Sequence, residues 1–267
     1  MNTPADARKA PSSRLVESPV FVISTVRSGS TLLRCVLNSH SQLHADHEMH
    51  LGGLRVEIDT KPAAAATDEM GLTATELEHM LWDRLLDHQL KASGKSVLVE
   101  KTPGNVAMWK RLAECWPHAR YIFLLRHPVH VLESLSEIFR DQLADISLSQ
   151  TPEEVEAKVR SSAVAQISPM LEAVAEARAH LDGITVRYED LTTSPDVVTK
   201  TICDYLGVPW EAEMLNYGSH DHGSFRMFLG DWRERISSGV IQPHRRLPAI
   251  DEVPADLAGQ CKALGYA

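Results

Sequence analysis

Short, continuous apolar runs recur along the chain and alternate with segments of helical periodicity. The apolar runs lie at residues 19–24, 96–99, 121–125 and 183–186, and several are rich in β-branched residues. Runs of this length without polar alternation are typical of strands that are buried on both faces. Because a helical segment follows each run, the pattern predicts a three-layer α/β fold with a parallel sheet between helices.

Helix signals stand between these predicted strands. Helices are expected from about Ser30 to Ser39 and from about Pro128 to Phe139. Thr73–Glu76 and Thr151–Glu154 both match the capping-box spacing, in which a hydroxyl residue is followed three positions later by a glutamate. Each of these two pairs predicts the start of a helix.

Proline, glycine and alanine modify this pattern at four places. A helix is predicted to begin at Pro103, and another is predicted over Ser194–Gly207. The helix that follows Thr151–Glu154 is expected to break or kink near Pro169. The alanine-rich stretch Lys61–Thr67 is expected to form a mobile loop or lid.

The length and net charge of the chain indicate how many domains it has and which partners are disfavoured. The chain has 267 residues, of which 43% are hydrophobic, and this suits a single domain over residues 18–267 after a flexible tail at residues 1–17. The net charge of −9 disfavours nucleic acid as a partner. No signal peptide and no apolar run of about 18 residues is seen, which predicts a cytoplasmic protein without a membrane partner.

Cysteines and histidines give no sign of a metal or redox centre. The four cysteines form no CxxC pair, and the thirteen histidines show no HExxH spacing. We therefore expect no metal, and four reduced, buried thiols. The cysteines are Cys35, Cys115, Cys203 and Cys261.

Polar residues follow each of the four predicted strands. They are Arg27-Ser28, Glu100-Lys101, Arg126-His127 and Arg187-Tyr188-Glu189. In parallel α/β folds, ligands bind beyond the carboxyl ends of the strands. These residues are therefore the candidates for a binding site, although Tyr188 could equally pack at a strand-to-helix corner and Glu189 with Asp190 could cap the next helix.

The segment after the first strand has the character of an anion-binding loop. Ser28-Gly29-Ser30-Thr31 offers backbone amides at a helix N-terminus and three hydroxyls, and Arg27 adds a positive charge. It differs from a Walker loop, because Ser24 replaces the first glycine and Ser30 stands in place of the lysine. An ordinary kinase or GTPase is therefore disfavoured.

A second anion-binding signal lies after the third strand. Ser134 follows Arg126 by eight residues, two turns into the next helix. The planar guanidinium of an arginine suits a phosphate, and the serine could meet the same group.

Together these motifs make the chain resemble the sulfotransferases that use 3′-phosphoadenosine 5′-phosphosulfate (PAPS). The matching segments are RSGSTLL at 27–33, RHPVHVLES at 126–134, VRYEDL at 186–191 and GDW at 230–232. The resemblance spans about residues 19–245 and implies the P-loop NTPase-like sulfotransferase fold. It is closest to bacterial natural-product sulfotransferases and the tyrosylprotein sulfotransferase-like branch.

The resemblance also implies roles for particular residues. The first loop would bind the 5′-phosphosulfate through Arg27, Ser28, Gly29, Ser30, Thr31 and Leu32. Arg126 and Ser134 would bind the 3′-phosphate, and Tyr188 and Trp232 would line the nucleotide site. The basic segment at 225–246 would close over the nucleotide; its arginines are Arg226, Arg233, Arg235, Arg245 and Arg246.

The general base depends on the branch of the family. Cytosolic members carry a histidine in a Lys-Thr-His segment, but here the segment reads Glu100-Lys101-Thr102-Pro103. Tyrosylprotein sulfotransferases carry a glutamate about 21 residues after the loop arginine, and that offset from Arg27 leads to Glu48. Glu48 is therefore the expected base, with Lys101 and Arg27 as catalytic cations. The alternatives are Glu100 and the histidines near Glu48: His44, His47 and His50.

The resulting expectation is an enzyme that moves a sulfuryl group from PAPS to a hydroxyl, or less readily an amine, of a small molecule such as a natural product or a carbohydrate. No metal is required if the cations suffice. Two alternatives are a nonstandard P-loop kinase that uses ATP and a catalytically inactive nucleotide-binding protein. The segments expected to shape the acceptor pocket, 50–75 and 140–155, name no acceptor, and no oligomeric state is predicted.

Overall fold

The computed structural model describes residues 14–144, 151–223, 225–226, 229–231 and 234–266. Within them the strands are β1 (Val20–Ser24), β2 (Leu43–His44), β3 (Val97–Glu100), β4 (Arg120–Leu125) and β5 (Gly183–Arg187). They form a five-stranded sheet in the order β2-β3-β1-β4-β5. All the neighbouring pairs are parallel.

Helices connect the strands and follow the sheet. They are α1 (Ser30–Asn38), α2 (Lys61–Glu69), α3 (Ala74–Ser93), α4 (Trp109–Cys115), α5 (Pro128–Ala144), α6 (Pro152–His180), α7 (Tyr188–Thr193), α8 (Pro195–Leu206), α9 (Glu234–Ser237) and α10 (Ala258–Ala263). Short 3₁₀ helices lie at Leu51–Gly53, Pro103–Met108, Ala212–Ser219 and Ile250–Glu252.

The sheet separates two hydrophobic cores, as the continuous apolar strands predict. Along β1, Phe21 and Ile23 belong to one core, whereas Val20 and Val22 belong to the other. Successive side chains of a strand point to opposite faces, so a strand that is apolar throughout must be covered on both. Residues of α3, α4, α5 and α6 fill the first core, and residues of α1 and α8 fill the second. The three-layer fold is confirmed.

The order of the strands places a crevice beside the central strand. The chain moves from β1 to β2 and β3 on one side of the sheet, then crosses to β4 and β5 on the other. Such a reversal opens a crevice at the carboxyl ends of the strands, which is where ligands bind in this class of fold. The polar residues that follow β1, β3 and β4 therefore converge at this edge.

Several local expectations need correction. Lys61–Thr67 is not a loop: it forms most of α2, because alanine is the strongest helix former and the Thr60 hydroxyl accepts a hydrogen bond from the Ala63 amide at 3.3 Å. Of the break or kink expected near Pro169, the break is absent, because Pro169 lies within the continuous α6. A buried stripe of α6 packs against the sheet and outweighs the lost backbone hydrogen bond; it comprises Val159, Ala163, Ile167, Leu171, Val174 and Ala177.

The helix predicted at Pro103 starts as a 3₁₀ helix and becomes α-helical only at Trp109. Glu189 and Asp190 do not cap the following helix, because both lie inside α7. The Glu189 carboxylate instead accepts hydrogen bonds from the His127 amide, at 2.9 Å, and from the Tyr266 hydroxyl, at 2.8 Å.

Residues 14–16, at the end of the predicted tail, contact the helices. Arg14 donates to the Cys115 carbonyl at 2.8 Å, and the Leu15 and Val16 amides donate to the Asp83 carboxylate at 2.6 and 3.1 Å. No helix within the described ranges combines the length and apolar character needed to cross a membrane.

Candidate functional site

The loop between β1 and α1 has an unusual backbone. Arg27 has a φ of 61° and Gly29 a φ of 83°, and the Thr25 and Ser28 hydroxyls lie 2.5 Å apart. A β-carbon at Gly29 would lie only 2.2 Å from the ring of Tyr188. Glycine is therefore required twice over at this position, for its backbone angle and for the close approach of Tyr188.

Helix α1 starts directly after this loop. The first amide to bond within the helix is that of Leu33, which donates to the Gly29 carbonyl at 3.1 Å. The amides of Ser30, Thr31 and Leu32 precede it and have no partner within the helix. These three residues line a cavity of about 830 Å³, together with Arg27 and Gly29. Amides and helix dipole both favour an anion in this cavity.

Arg27 reaches from the loop across the cavity. Its Nε donates to the Ser134 hydroxyl at 3.1 Å, and its two terminal nitrogens contact the Asp231 carboxylate at 3.1 and 3.3 Å. The Asp231 amide donates to the Thr31 hydroxyl at 2.9 Å. The sequence pattern gave Asp231 no role of its own, although it lies in the GDW landmark.

Arg126 contacts the backbone of the β1–α1 loop. Its guanidinium donates to the Arg27 carbonyl at 2.8 Å and lies over the Tyr188 ring, 4.6 Å from the ring centroid. Burial lowers the pKa of Arg126. Arg126, Ser134 and Tyr188 all line the cavity, but the arginine that touches Ser134 is Arg27.

Glu48 lines another part of the same cavity and forms an ion pair with Lys101, which is itself not among the described lining residues. The Lys101 ammonium lies 2.5 Å from Glu48 Oε1, and His50 Nε2 lies 3.5 Å from Glu48 Oε2. The Lys101 side chain is fully buried, which lowers its pKa, and the negative charge of Glu48 opposes that shift. The pairing of residues 53 positions apart brings the expected base and a catalytic cation into contact.

The alternative bases are placed differently. Glu48 and His50 line the cavity; the other described histidines of the segment, His44 and His47, do not. His47 packs against Gly223, and burial lowers the pKa of His44. Glu100 is buried among three hydrogen-bond donors and is likewise absent from the described lining.

The remaining predicted residues lie at the margin of the cavity or beyond the described residues. Trp232 is outside the described residues, as is Arg233, and nothing is described of the Arg235 side chain. Arg245 lines the cavity and pairs with Glu137 and Glu133 of α5 at 2.8 and 3.1 Å.

An apolar wall completes the cavity. It consists of Leu135, Ile138 and Phe139, which lie on the same face of α5 as Ser134. Their spacing is visible in the sequence, but helical spacing alone does not distinguish a cavity wall from a core.

The described residues contain no group of three or more histidine, cysteine, aspartate or glutamate side chains that could hold a metal. All four cysteines are free and buried, as the sequence predicts.

Comparison with known proteins agrees with this geometry. The sulfotransferase family matches residues 19–212, which is more than half of the chain. The chain belongs to the sulfotransferase family. This match includes β1 to β5 and the cavity residues from Arg27 to Tyr188.

Two curated proteins are similar to the chain. The nodulation protein NoeE of Sinorhizobium fredii (strain NBRC 101917 / NGR234) is 26% identical over 70% of this chain and 49% of its own length. Protein-tyrosine sulfotransferase 1 of Danio rerio is 23% identical over 74% of this chain and 55% of its own. The chain thus spans about half the length of these relatives.

Two solved sulfotransferase domains share the fold. The domain from the Synechococcus PCC 7002 olefin synthase has a TM-score of 0.68 and 22% identity, covering 97% of this chain and 98% of its own. The domain from the curacin biosynthetic pathway has a TM-score of 0.58 and 23% identity, covering 96% and 99%.

Proposed function

We propose that this protein transfers the sulfuryl group of PAPS to a hydroxyl group of a small-molecule acceptor, with Glu48 as the general base. The observation that carries the proposal is the ion pair of the buried Lys101 with Glu48, which lines the same cavity as the β1–α1 loop. The positive charge of Lys101 suits the leaving group, and the negative charge of Glu48 suits the proton of the acceptor hydroxyl. A simple nucleotide-binding site would need only the loop.

The loop supports the donor side of this proposal. The α1 N-terminus and Arg27 line the cavity, and Lys101 Nζ lies 3.9 Å from the β-carbon position of Gly230, a lining residue. These groups would provide amides and cations for the 5′-phosphosulfate, and Arg126 with Ser134 would bind the 3′-phosphate. Arg27 contacts Ser134 at 3.1 Å, so the two proposed phosphate subsites would be contiguous. The Asp231 carboxylate pairs with the Arg27 guanidinium, so it would have to move away before an anion could bind there.

The proposed reaction is an in-line displacement at sulfur. The acceptor oxygen attacks the sulfuryl sulfur while the bond from sulfur to the bridging oxygen breaks. Glu48 accepts the proton of the acceptor hydroxyl, and Lys101 stabilises the negative charge that develops on the bridging oxygen. The products are a sulfate ester and 3′-phosphoadenosine 5′-phosphate.

The acceptor side is supported by the apolar wall of the cavity. Leu135, Ile138 and Phe139 offer contact area to the carbon skeleton of a small molecule. A cavity of about 830 Å³ is at the large end of the range usual for small-molecule sites, which suits two substrates side by side.

Calorimetry with three nucleotides tests the donor assignment. We expect 3′-phosphoadenosine 5′-phosphate to bind at least about 10-fold more tightly than AMP, which lacks the 3′-phosphate, and than ADP, with EDTA present throughout. Equal affinity for the bisphosphate and AMP would remove the roles of Arg126 and Ser134. In a parallel titration with magnesium in place of EDTA, a preference for ATP over the bisphosphate would favour a kinase instead.

A radiolabel screen tests the reaction itself. ³⁵S-PAPS is incubated with a panel of alcohols, phenols, carbohydrates and amines, and the labelled product is separated. Transfer to a hydroxyl compound supports the proposal. Tight bisphosphate binding without transfer to any member or to water would favour an inactive nucleotide-binding protein.

A further inference from the structure

Glu100, at the carboxyl end of β3, is a buried carboxylate that the proposed reaction does not use. It is 1% exposed. It accepts hydrogen bonds from the Met49 amide at 3.3 Å, from the Thr102 hydroxyl at 2.6 Å and from the side-chain amide of Asn105. Burial raises the pKa of this carboxyl group, and the three hydrogen-bond donors oppose that shift by stabilising its charged form.

Thr102 extends this network to the next residue of the Glu48 segment. Its hydroxyl donates to Glu100 and accepts from the His50 amide at 3.2 Å. The amides of both residues that follow Glu48 are therefore held by side chains from the end of β3. Lys101, between Glu100 and Thr102, holds the Glu48 side chain itself.

The backbone of this segment needs such support. His50 has a φ of 48°, a left-handed conformation that costs energy for any residue except glycine. A 3₁₀ helix starts at Leu51, immediately after it. A strained residue two positions from Glu48 persists only where neighbouring groups fix it, and Thr102 holds its amide.

We propose that Glu100, acting with Thr102, is a positioning residue that fixes the backbone after Glu48 and so keeps the Glu48 carboxylate against Lys101. This inference rests on the proposed function, in which Glu48 is the general base. Glu100, Lys101 and Thr102 then contact three consecutive residues of the facing loop, namely Met49, Glu48 and His50, respectively. In the proposed reaction Glu100 contacts neither substrate.

Two substitutions of Thr102 form a matched pair. Thr102→Val keeps the shape of the side chain but removes the hydroxyl, whereas Thr102→Ser keeps the hydroxyl. Amide hydrogen exchange at His50 reports the interaction directly. We expect exchange at His50 to be about 5- to 10-fold faster in Thr102→Val than in Thr102→Ser, because one hydrogen bond is lost.

Activity separates positioning from general stability. In Thr102→Val we expect the turnover of ³⁵S-PAPS, with the best acceptor of the panel, to fall about 10- to 100-fold, because a small displacement of the base suffices. Affinity for 3′-phosphoadenosine 5′-phosphate should stay within about 2-fold, since the network lies away from the β1–α1 loop. Thr102→Ser should retain both.

If Thr102→Val fails to fold, Glu100→Gln replaces it. Glutamine keeps the size of Glu100, and its nitrogen can donate to the side-chain oxygen of Asn105, which has no partner within the part of the chain that the structure describes. A neutral oxygen is a weaker acceptor, so exchange at Met49 should rise about 3- to 10-fold relative to wild type.

The possible results separate the two proposals. Unchanged exchange at His50 in Thr102→Val, or at Met49 in Glu100→Gln, overturns the positioning role whether or not an acceptor is known. A loss of bisphosphate affinity equal to the loss of turnover also overturns it, because the effect would then be structural. Failure of the wild-type protein to bind the bisphosphate sinks the proposed function and leaves the exchange result to judge the network alone.

Discussion

The Lys101 side chain is fully buried, and a buried environment disfavours a charged ammonium. Burial lowers its pKa because an ammonium loses hydration there, and the Glu48 carboxylate at 2.5 Å acts in the opposite direction. Burial raises the pKa of the adjacent Glu100 carboxyl group, so Glu48 is the main negative partner of Lys101. Contact with Glu48 favours the protonated form of Lys101, which is the form that can stabilise a leaving oxygen.

Substitution of Glu48 tests the base at the level of one residue. We expect Glu48→Gln to lower turnover of ³⁵S-PAPS about 10²- to 10⁴-fold, because glutamine cannot accept the proton, with little change in bisphosphate affinity. Asp46→Asn is the matched control: it removes a nearby carboxylate that lies 3.9 Å from His47. Retention of activity in Glu48→Gln would transfer the role to His50, the other cavity-lining candidate.

The sequence named the charged residues expected at the site but not the partners of their side chains. Arg27, Glu48, Lys101, Arg126 and Ser134 all stand in recognisable motifs, whereas the contact of Arg27 with Ser134 joins residues 107 positions apart. A motif records which side chains are present. It does not record that Arg126 turns toward the Arg27 carbonyl while Arg27 takes the serine.

At the scale of elements, the β1–α1 loop is fitted to its neighbours. Tyr188, at the start of α7, packs against Gly29. Arg126 donates a hydrogen bond to the Arg27 carbonyl of the same loop. Backbone angles in the left-handed region at Arg27 and Gly29 turn the chain sharply into α1. The anion site therefore depends on three separate elements.

Substitution of two glycines with similar φ angles distinguishes the effect of a steric contact from the effect of backbone strain. Gly29→Ala would bring a β-carbon to 2.2 Å from Tyr188, whereas Gly94→Ala, at the end of α3 with a φ of 67°, meets nothing within 4 Å. Both should lower the free energy of unfolding by about 1 kcal/mol through backbone strain. Only Gly29→Ala should also weaken bisphosphate binding, by at least about 10-fold, because Tyr188 and Arg126 must move.

Thermal unfolding and calorimetry on the two variants give the comparison. Equal bisphosphate affinity in both would show that the contact with Tyr188 does not shape the anion site.

Element predictions succeeded where local signals were strong and failed where packing or composition overrode them. The capping box at Thr151 is present in full, and Gly207 ends α8 with a φ of 70°. Pro169 did not break α6, because a helix of 29 residues with one buried stripe tolerates the loss of a single hydrogen bond. The two-residue β2 had no signal of its own, since its pairing with β3 depends on the rest of the sheet.

At the scale of the whole molecule, buried histidines couple stability to pH. Burial lowers the pKa of five described histidines: His44, His79, His127, His130 and His222. In the unfolded chain a histidine titrates near about 6.5. As the pH falls below that value, the unfolded chain takes up protons that the folded protein does not, so the free energy of unfolding decreases.

Urea unfolding at pH 7.5 and pH 5.5 measures this decrease. We expect His79→Gln to reduce it, by up to about 1.4 kcal/mol for each pH unit between the folded and unfolded pKa of His79. His79 is 2% exposed, and its Nε2 has no hydrogen-bond partner among the described residues. His88→Gln, an exposed position on the same helix, should leave the decrease unchanged. Identical pH dependence in wild type and His79→Gln would contradict the assignment.

The sequence by itself determined the class of fold, the order of most strands and helices, the anion-binding loop and the family. It could do so because apolar periodicity, caps and glycine positions act over a few residues and leave a local pattern. The two cores on opposite faces of the sheet follow from the same pattern, as the alternation of Val20 and Phe21 between them illustrates.

Only the tertiary structure decided which side chains meet. The pairing of Glu48 with Lys101, the contact of Arg27 with Asp231 and the enclosure of Glu100 all join segments that come together when the sheet forms. Such contacts depend on burial and on the geometry of several elements at once, and no local propensity encodes them. The carboxylate of Glu100 illustrates the difference: in the sequence it is one more candidate base, and in the fold it is enclosed by the residues that hold Glu48 in place.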